Sequence, residues 1–327
     1  MRYVFAPRMH DMAERTTIGP PGTFPGGRVV RRQDIGEVTR FDLPARGRRL
    51  LGGYWTTCYR LGDVMVDAGP VHRGKALVAA LGPGPIRQVL LTHSHEDHIG
   101  GVGALRRAFP EAGIGAHRET LRVLRDPKRE QPEQIYRRLV WGWPDAVSGG
   151  TALADGDVVT AGPFRFRVVH TPGHSPDHLC FLEEDRGYLF TGDLYVGGRD
   201  IGIRSDADIW ALIASLERIA ALRPKVMLPG AARIPGDPVE ALNRKIDYYR
   251  QLGERVLQFH ARGWPEDRIA RSLLGRWHRI ELLTQGHFTR LALVRSFLRG
   301  SPSHGGTPGV VSLSPDGDSG GSSSTGA

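Results

Sequence analysis

Thr92-His93-Ser94-His95-Glu96-Asp97-His98-Ile99-Gly100-Gly101 sets three histidines and Asp97 within six residues. Imidazole nitrogen and carboxylate oxygen are the usual ligands of catalytic zinc and of similar borderline metals. In an extended loop, a spacing of two sends His93 and His95 the same way. Asp97 and His98, one step further on, turn toward a neighbouring position, so one short loop holds most of a two-metal site. Ile86–Leu91 before the loop is an apolar run that reads as a buried strand. Ile99–Phe109 after it reads as a helix. Strand, ligand loop and helix form a rigid mount, the place where open α/β sheets keep their chemistry.

Three more motifs stand in order along the chain. Val64-Met65-Val66-Asp67 ends an early strand in a carboxylate, Thr171-Pro172-Gly173-His174-Ser175-Pro176 puts a histidine in a turn, and Thr191-Gly192-Asp193 ends a later strand in a carboxylate. With residues 92–101 they cover residues 54–230, and together they resemble the metallo-β-lactamase-fold hydrolases. The resemblance implies an α/β fold, a four-layer αββα sandwich with a helical C-terminal extension. It implies that His93, His95 and His174 hold one metal, that Asp97 and His98 hold a second, and that Asp193 bridges them. Asp67 would orient the loop without taking part in chemistry. The implied cofactor is zinc, as one or two ions, with iron or manganese as alternatives. The implied reaction is hydrolysis by a metal-bound hydroxide, because a metal lowers the pKa of its water from about 15.7 toward 7. Asp97 would be the catalytic residue that orients this nucleophile and accepts its proton.

A fifth family motif departs from the pattern. The family ends a late strand with Pro-Gly-His-Gly, whereas here Val226-Met227-Leu228 runs into Pro229-Gly230-Ala231-Ala232. Alanine has no donor atom, so the second metal position loses a nitrogen ligand at Ala231. His260, His278 and His287 are the candidate substitutes. His287, after Gly286 at the start of a possible helix, is the most suggestive of them, although a lone histidine is more often a surface or capping residue. His178, four residues after His174, reads as a support for the metal loop, and His117 and His170 as core or supporting residues.

The 327 residues carry a net charge of +9, unevenly spread. Residues 1–50 hold ten arginines against five acids, and residues 238–300 hold twelve Arg or Lys against six. The stretch between is near neutral. Basic flanks of this kind attract an acidic substrate, an RNA or a membrane surface, or simply reflect an arginine-rich composition. Cys58 and Cys180 lie in apolar runs without CxxC spacing and read as core residues in a reducing cytoplasm. The N-terminus shows no continuous apolar stretch, so neither a signal peptide nor a membrane span is expected. Oligomeric state is left open.

The chain divides into an irregular basic segment over 1–35, a catalytic domain over 36–237, helices over 238–300 and a disordered Ser/Gly/Pro tail over 301–327. Between the metal motifs, residues 118–147 read as a charged helical insertion ending in Trp141 and Trp143, a pair that either lines a substrate pocket or packs ordinarily. The leading function is hydrolysis of a small-molecule ester, thioester or lactone, similar to glyoxalase II. The alternatives are a ribonuclease or phosphodiesterase similar to lactamase-β-2-like proteins, a mononuclear iron sulfur-oxidising dioxygenase, and a degenerate non-catalytic member.

Overall fold

The computed structural model describes residues 30–46, 54–131, 134–276 and 279–300. The expected tail over 301–327, most of the expected irregular N-terminus and the candidate ligand His278 lie outside the described residues.

One sheet holds β1 (Arg31–Ile35), β2 (Val38–Pro44), β3 (Trp55–Leu61), β4 (Val64–Val66), β5 (Gln88–Leu90), β6 (Gly113–Ala116) and β7 (Thr151–Ala152), neighbours in that order. The first four strands pair antiparallel and the rest parallel. A second sheet holds β8 (Val158–Ala161), β9 (Phe164–His170), β10 (Leu179–Glu183), β11 (Tyr188–Gly192) and β13 (Val226–Pro229), with β13 parallel to β11 at one edge. β12 (Ile203–Arg204) and β14 (Phe288–Thr289) form a separate antiparallel pair.

Side-chain alternation explains why the two sheets stack. Along β9, Phe164, Phe166 and Val168 face a core shared with Tyr59, Leu61, Val64, Val66 and Leu90 of the first sheet. Val169 of β9 and Cys180 and Leu182 of β10 point the other way, toward helices. This is the period-two geometry of a strand buried on both faces. Each such side chain, fully buried, contributes about 1.5–3 kcal/mol of hydrophobic stabilisation. Helices α1 (Gly74–Ala80) and α3 (Val102–Ala108) cover the outer face of the first sheet, where Leu77, Val102 and Leu105 meet Met65, Val89 and Leu91. Helices α7 (Ile209–Ala221), α8 (Pro238–Ala261), α9 (Glu266–Leu274) and α11 (Arg290–Arg299) cover the second, through Leu216, Tyr249, Ile269 and Phe297. The result is the expected αββα sandwich, and its C-terminal helices belong to the outer layer. Cys58 and Cys180 are buried and unpaired in the two outer cores.

Several expectations need correction. β1 lies inside the stretch expected to be irregular; its polar sequence and exposed middle residues carry no alternation, and a hairpin through Gly36 (φ 58°) sets it on β2. Of the helix expected over Ile99–Phe109, α3 spans Val102–Ala108, and a separate helical turn, α2 (Glu96–Ile99), precedes it inside the expected ligand loop. The insertion forms three short helices, α4 (Arg118–Arg125), α5 (Pro127–Glu130) and α6 (Ile135–Val140). An additional helix, α10 (Arg279–Leu283), precedes β14.

A buried ion pair ties the first sheet to the loop after β13. Arg40 meets Asp42 at 2.7 Å, Thr57 donates to the same carboxylate at 2.9 Å, and Arg40 Nη2 donates to the Ala232 carbonyl at 3.0 Å. Arg40→Ala would leave Asp42 buried without its counter-charge. The expected cost is about 3–5 kcal/mol in urea unfolding. A loss below about 1 kcal/mol would mean that the pair behaves as a solvated surface bridge. No helix among the described residues is long and apolar enough to cross a membrane.

Candidate metal centre

Asp67 follows β4 in a left-handed conformation (φ 61°), which aspartate tolerates better than most side chains. Its carboxylate accepts from the Thr92 backbone N–H at 2.8 Å and from the Thr92 hydroxyl at 2.9 Å. His98 Nδ1 donates to it at 2.8 Å, which leaves Nε2 of that ring for other partners. Asp67 thus clamps both ends of the histidine loop. Asp97 and His98 stand on the helical turn α2 and not on an extended loop; His95 is the extended residue before it. Asp177 joins this loop to the turn carrying His174: it accepts from Ser94 N–H at 3.0 Å, from the Thr120 hydroxyl at 2.7 Å and from the Ser175 hydroxyl at 2.7 Å. Gly173 (φ 131°) lets that turn press on α7, since a Cβ there would meet Leu212 N at 2.2 Å.

The donor atoms converge. His93 Nε2 lies 2.9 Å from His95 Nδ1, which lies 3.0 Å from His174 Nε2. Asp193 spans the site, with Oδ1 at 3.3 Å from His98 Nε2 and Oδ2 at 3.8 Å from His174 Nε2. Asp97 Oδ2 is 3.8 Å from His98 Nε2. Two donor groups result, His93/His95/His174 and His93/His98/Asp193, each with its ligand atoms within 4.8 Å of one another. Buried His98 Nε2 and Asp193 Oδ1 make no well-formed hydrogen bond, and imidazoles facing one another cannot all be satisfied by their own protons. The nitrogen and carboxylate set fits a small borderline divalent ion.

The electrostatics agree with that use. Burial, reinforced by neighbouring imidazoles, pushes His93 well below its usual pKa, and burial with the Arg204 charge does the same to His95. Burial lowers His174 as well. These rings are neutral, the form that binds a metal. Burial would lower His98 too, but the carboxylates of Asp193, Asp67 and Asp97 outweigh it and raise its pKa. Burial raises Asp97 to about 6, whereas the His98 charge overcomes burial at Asp193 and holds it at about 2.

Other expected residues fall elsewhere. The chain at Gly230 runs so close to the centre that a Cβ there would sit 2.7 Å from Asp193 Oδ1 and 2.9 Å from His98 Cε1; Ala231 follows it, buried. His287 joins neither donor group; its Nδ1 lies 2.6 Å from the Tyr136 hydroxyl and its Nε2 3.8 Å from Asp206 Oδ1. His260 lies exposed near the end of α8. His178 is buried behind the site, its Nδ1 2.8 Å from the Thr171 hydroxyl. His117 and His170 stack on each other with centroids 5.3 Å apart. Sequence reasoning did not single out Thr56, which donates to Asp97 Oδ2 at 2.9 Å, or Tyr54, whose phenol pKa is raised by burial and by the Asp193 and Asp97 charges. It also passed over Glu96, Arg137 and Arg204. Glu96 had a visible signal, a carboxylate inside the motif; its buried partner Arg137 had none. Trp141 packs edge-on to Tyr54 at 5.3 Å.

An αββα sandwich with these donors at its strand ends defines a metal-centred class of proteins. The chain belongs to the metallo-beta-lactamase superfamily, whose profile matches residues 57–231. It is 30% identical over 230 residues to an atrochrysone carboxyl ACP thioesterase of Aspergillus fumigatus, covering 66% of this chain and 65% of that one. It is 32% identical over 166 residues to a hydroxyacylglutathione hydrolase of Bdellovibrio bacteriovorus, covering 50% and 53%. The chain therefore spans about half to two-thirds of the length of these relatives. Among solved structures, a metallo-beta-lactamase family protein from Thermus thermophilus superposes with a TM-score of 0.53 at 21% identity, over 82% of this chain and 91% of that one. A metallo-beta-lactamase from Pontibacter korlensis gives 0.52 at 16% identity, over 67% and 98%.

Proposed function

We propose that the protein is a metal-dependent hydrolase of acyl thioesters. The observation that carries this reading is the position of His93, whose ring belongs to both donor groups, with the Asp97 carboxylate 3.8 Å from Nε2 of the adjoining His98. Relatives named as a thioesterase and as a hydroxyacylglutathione hydrolase support the substrate class.

His93, His95 and His174 would hold one ion, with His98, Asp97 and Asp193 offering a second position. Zinc, the ion best suited to this donor set, would supply an acidified water and a Lewis acid for the acyl oxygen. The chain's own groups do the rest. Asp97, held by the Thr56 hydroxyl, faces the centre as the proton acceptor, and burial gives it a pKa near the range useful for general-base work. Asp67 never reaches the reacting atoms; it sets the orientation of His98 and Thr92. Two buried, unpaired thiols suit a reducing compartment and support a cytoplasmic location.

The test is hydrolysis of acyl thioesters, lactones and phosphodiesters by protein of known metal content. Thioester turnover lost on chelation and restored by zinc supports the proposal, and no thioester turnover with zinc, iron or manganese overturns it. Metal stoichiometry gives a second check. Ala231→His restores the nitrogen that the family motif carries one residue after Gly230, and is expected to raise bound zinc from about one toward two equivalents per chain, measured by elemental analysis. An unchanged content would mean that the second position is already complete.

A further inference from the structure

The wall beside His95 and His174 is assembled from stretches remote in sequence. β12 presents Arg204, and its pairing with β14 places His287 next to it, with Ser205 N–H donating to the His287 carbonyl at 2.8 Å. Tyr136 of α6 closes the group through its bond to His287 Nδ1. One residue further on, Arg137 is buried against Glu96, the neighbour of His95, and its Nη1 has no hydrogen-bond partner among the described residues.

Arg204 is the residue that local packing does not explain. Its side chain is only 16% exposed, yet its ion-pair partner Asp206 is 55% exposed. Nε and Nη2 donate to Asp206 at 3.0 Å and 2.9 Å, and Nη1 makes no hydrogen bond among the described residues. The bidentate pair with Asp206 occupies Nε and Nη2 and fixes the plane of the guanidinium, so that Nη1 is the donor of the fork not engaged among the described residues. The His287–Tyr136 bond and the neighbouring Arg137–Glu96 pair carry this corner of the fold to the helical turn that begins directly after His95. An always-charged planar fork in this position suits a carboxylate delivered to the metal centre.

We propose that Arg204, backed by the Tyr136–His287 pair, forms an anion subsite that receives a carboxylate of the substrate and sets substrate choice. The role rests on the thioesterase reading for its chemistry, and it is a positioning role, not a bond-breaking one.

Three thioesters test it: the butyryl ester of a neutral thiol, the succinyl ester of the same thiol, and the butyryl ester of a carboxylated thiol. They distinguish a carboxylate on the acyl side from one on the thiol side. Arg204→Gln is expected to lower the kcat/KM ratio of a carboxylated substrate to the neutral one by roughly ten- to a hundredfold, mainly through KM. Arg204→Lys is expected to recover part of that ratio. Circular dichroism and metal content identify a variant that has merely misfolded. Calorimetric binding of the non-hydrolysable carboxylated thioether provides a readout independent of turnover. If no thioester is cleaved but this analogue binds wild type at least tenfold more tightly than Arg204→Gln, the subsite holds and the thioesterase reading fails. If the variant lowers turnover of all three substrates equally, or binds the analogue as wild type does, the subsite is overturned.

Discussion

Asp97→Asn is expected to lower thioester turnover by roughly 10²- to 10⁴-fold, the usual share of a positioned general base. Asparagine keeps the shape and can still accept from Thr56, so the loss isolates the proton-accepting function. The same substitution changes stability in a pH-dependent way. In the metal-free protein, burial raises Asp97 from 3.8 to about 6, so between those values the folded state holds a proton that the unfolded chain releases. Stability contributed by this group is therefore present below about pH 4 and lost as pH rises through 6. Asp193 works in the opposite sense, because its lowered pKa of about 2 confines its contribution to pH changes below 4. Between pH 4.5 and 7, metal-free Asp97→Asn should thus gain on wild type by about 2 kcal/mol, because only the part of the shift between pH 4.5 and about 6 falls in that window. Urea unfolding of chelated protein at the two pH values measures it. Parallel pH dependence in both proteins, or an activity loss below about tenfold, would remove Asp97 from the role assigned to it.

Gly101→Ala is expected to be the most damaging single-methyl change in the metal loop. A Cβ at Gly101 would stand 2.1 Å from the Ala68 carbonyl oxygen, and that atom is backbone, one residue after the Asp67 clamp. The Gly101 N–H also donates to the Gly69 carbonyl at 2.8 Å, so the two segments cannot separate without losing a buried bond. The cost should reach or exceed ~3 kcal/mol, the upper range for overpacking. Because the displaced segment carries Asp67, metal content should fall along with stability. Wild-type urea midpoint and zinc content in Gly101→Ala would show that the contact relaxes freely.

The core of the centre was legible because its residues lie in short local patterns. His93, His95, Asp97 and His98 fall within six residues, and His174 and Asp193 each sit in a distinctive turn. The sheet strands were legible through their apolar runs. The surrounding wall was not. Tyr136 meets His287 across 151 positions, and β12 and β14 are two residues long, too short to show periodicity. β1 hid behind polar residues because an edge strand can leave its side chains in water. Asp177 was visible only as a polar residue between two histidine motifs; that it joins both metal loops is a tertiary fact. His287 was noticed for the right neighbourhood but for a different task. Its ring nitrogen is committed to Tyr136, and that commitment could not be read from a glycine before it.

The pairing of β12 with β14 has a consequence for how such a protein can change. The segment that contributes Phe297 and Leu293 to the outer core also presents His287 at the wall of the metal centre. With the proposed Arg204 subsite, stability and substrate preference would be inherited through the same stretch of gene. Drift in selectivity should proceed through α6, where Ile135 and Leu139 face solvent and are free to vary, before it reaches the residues around 287.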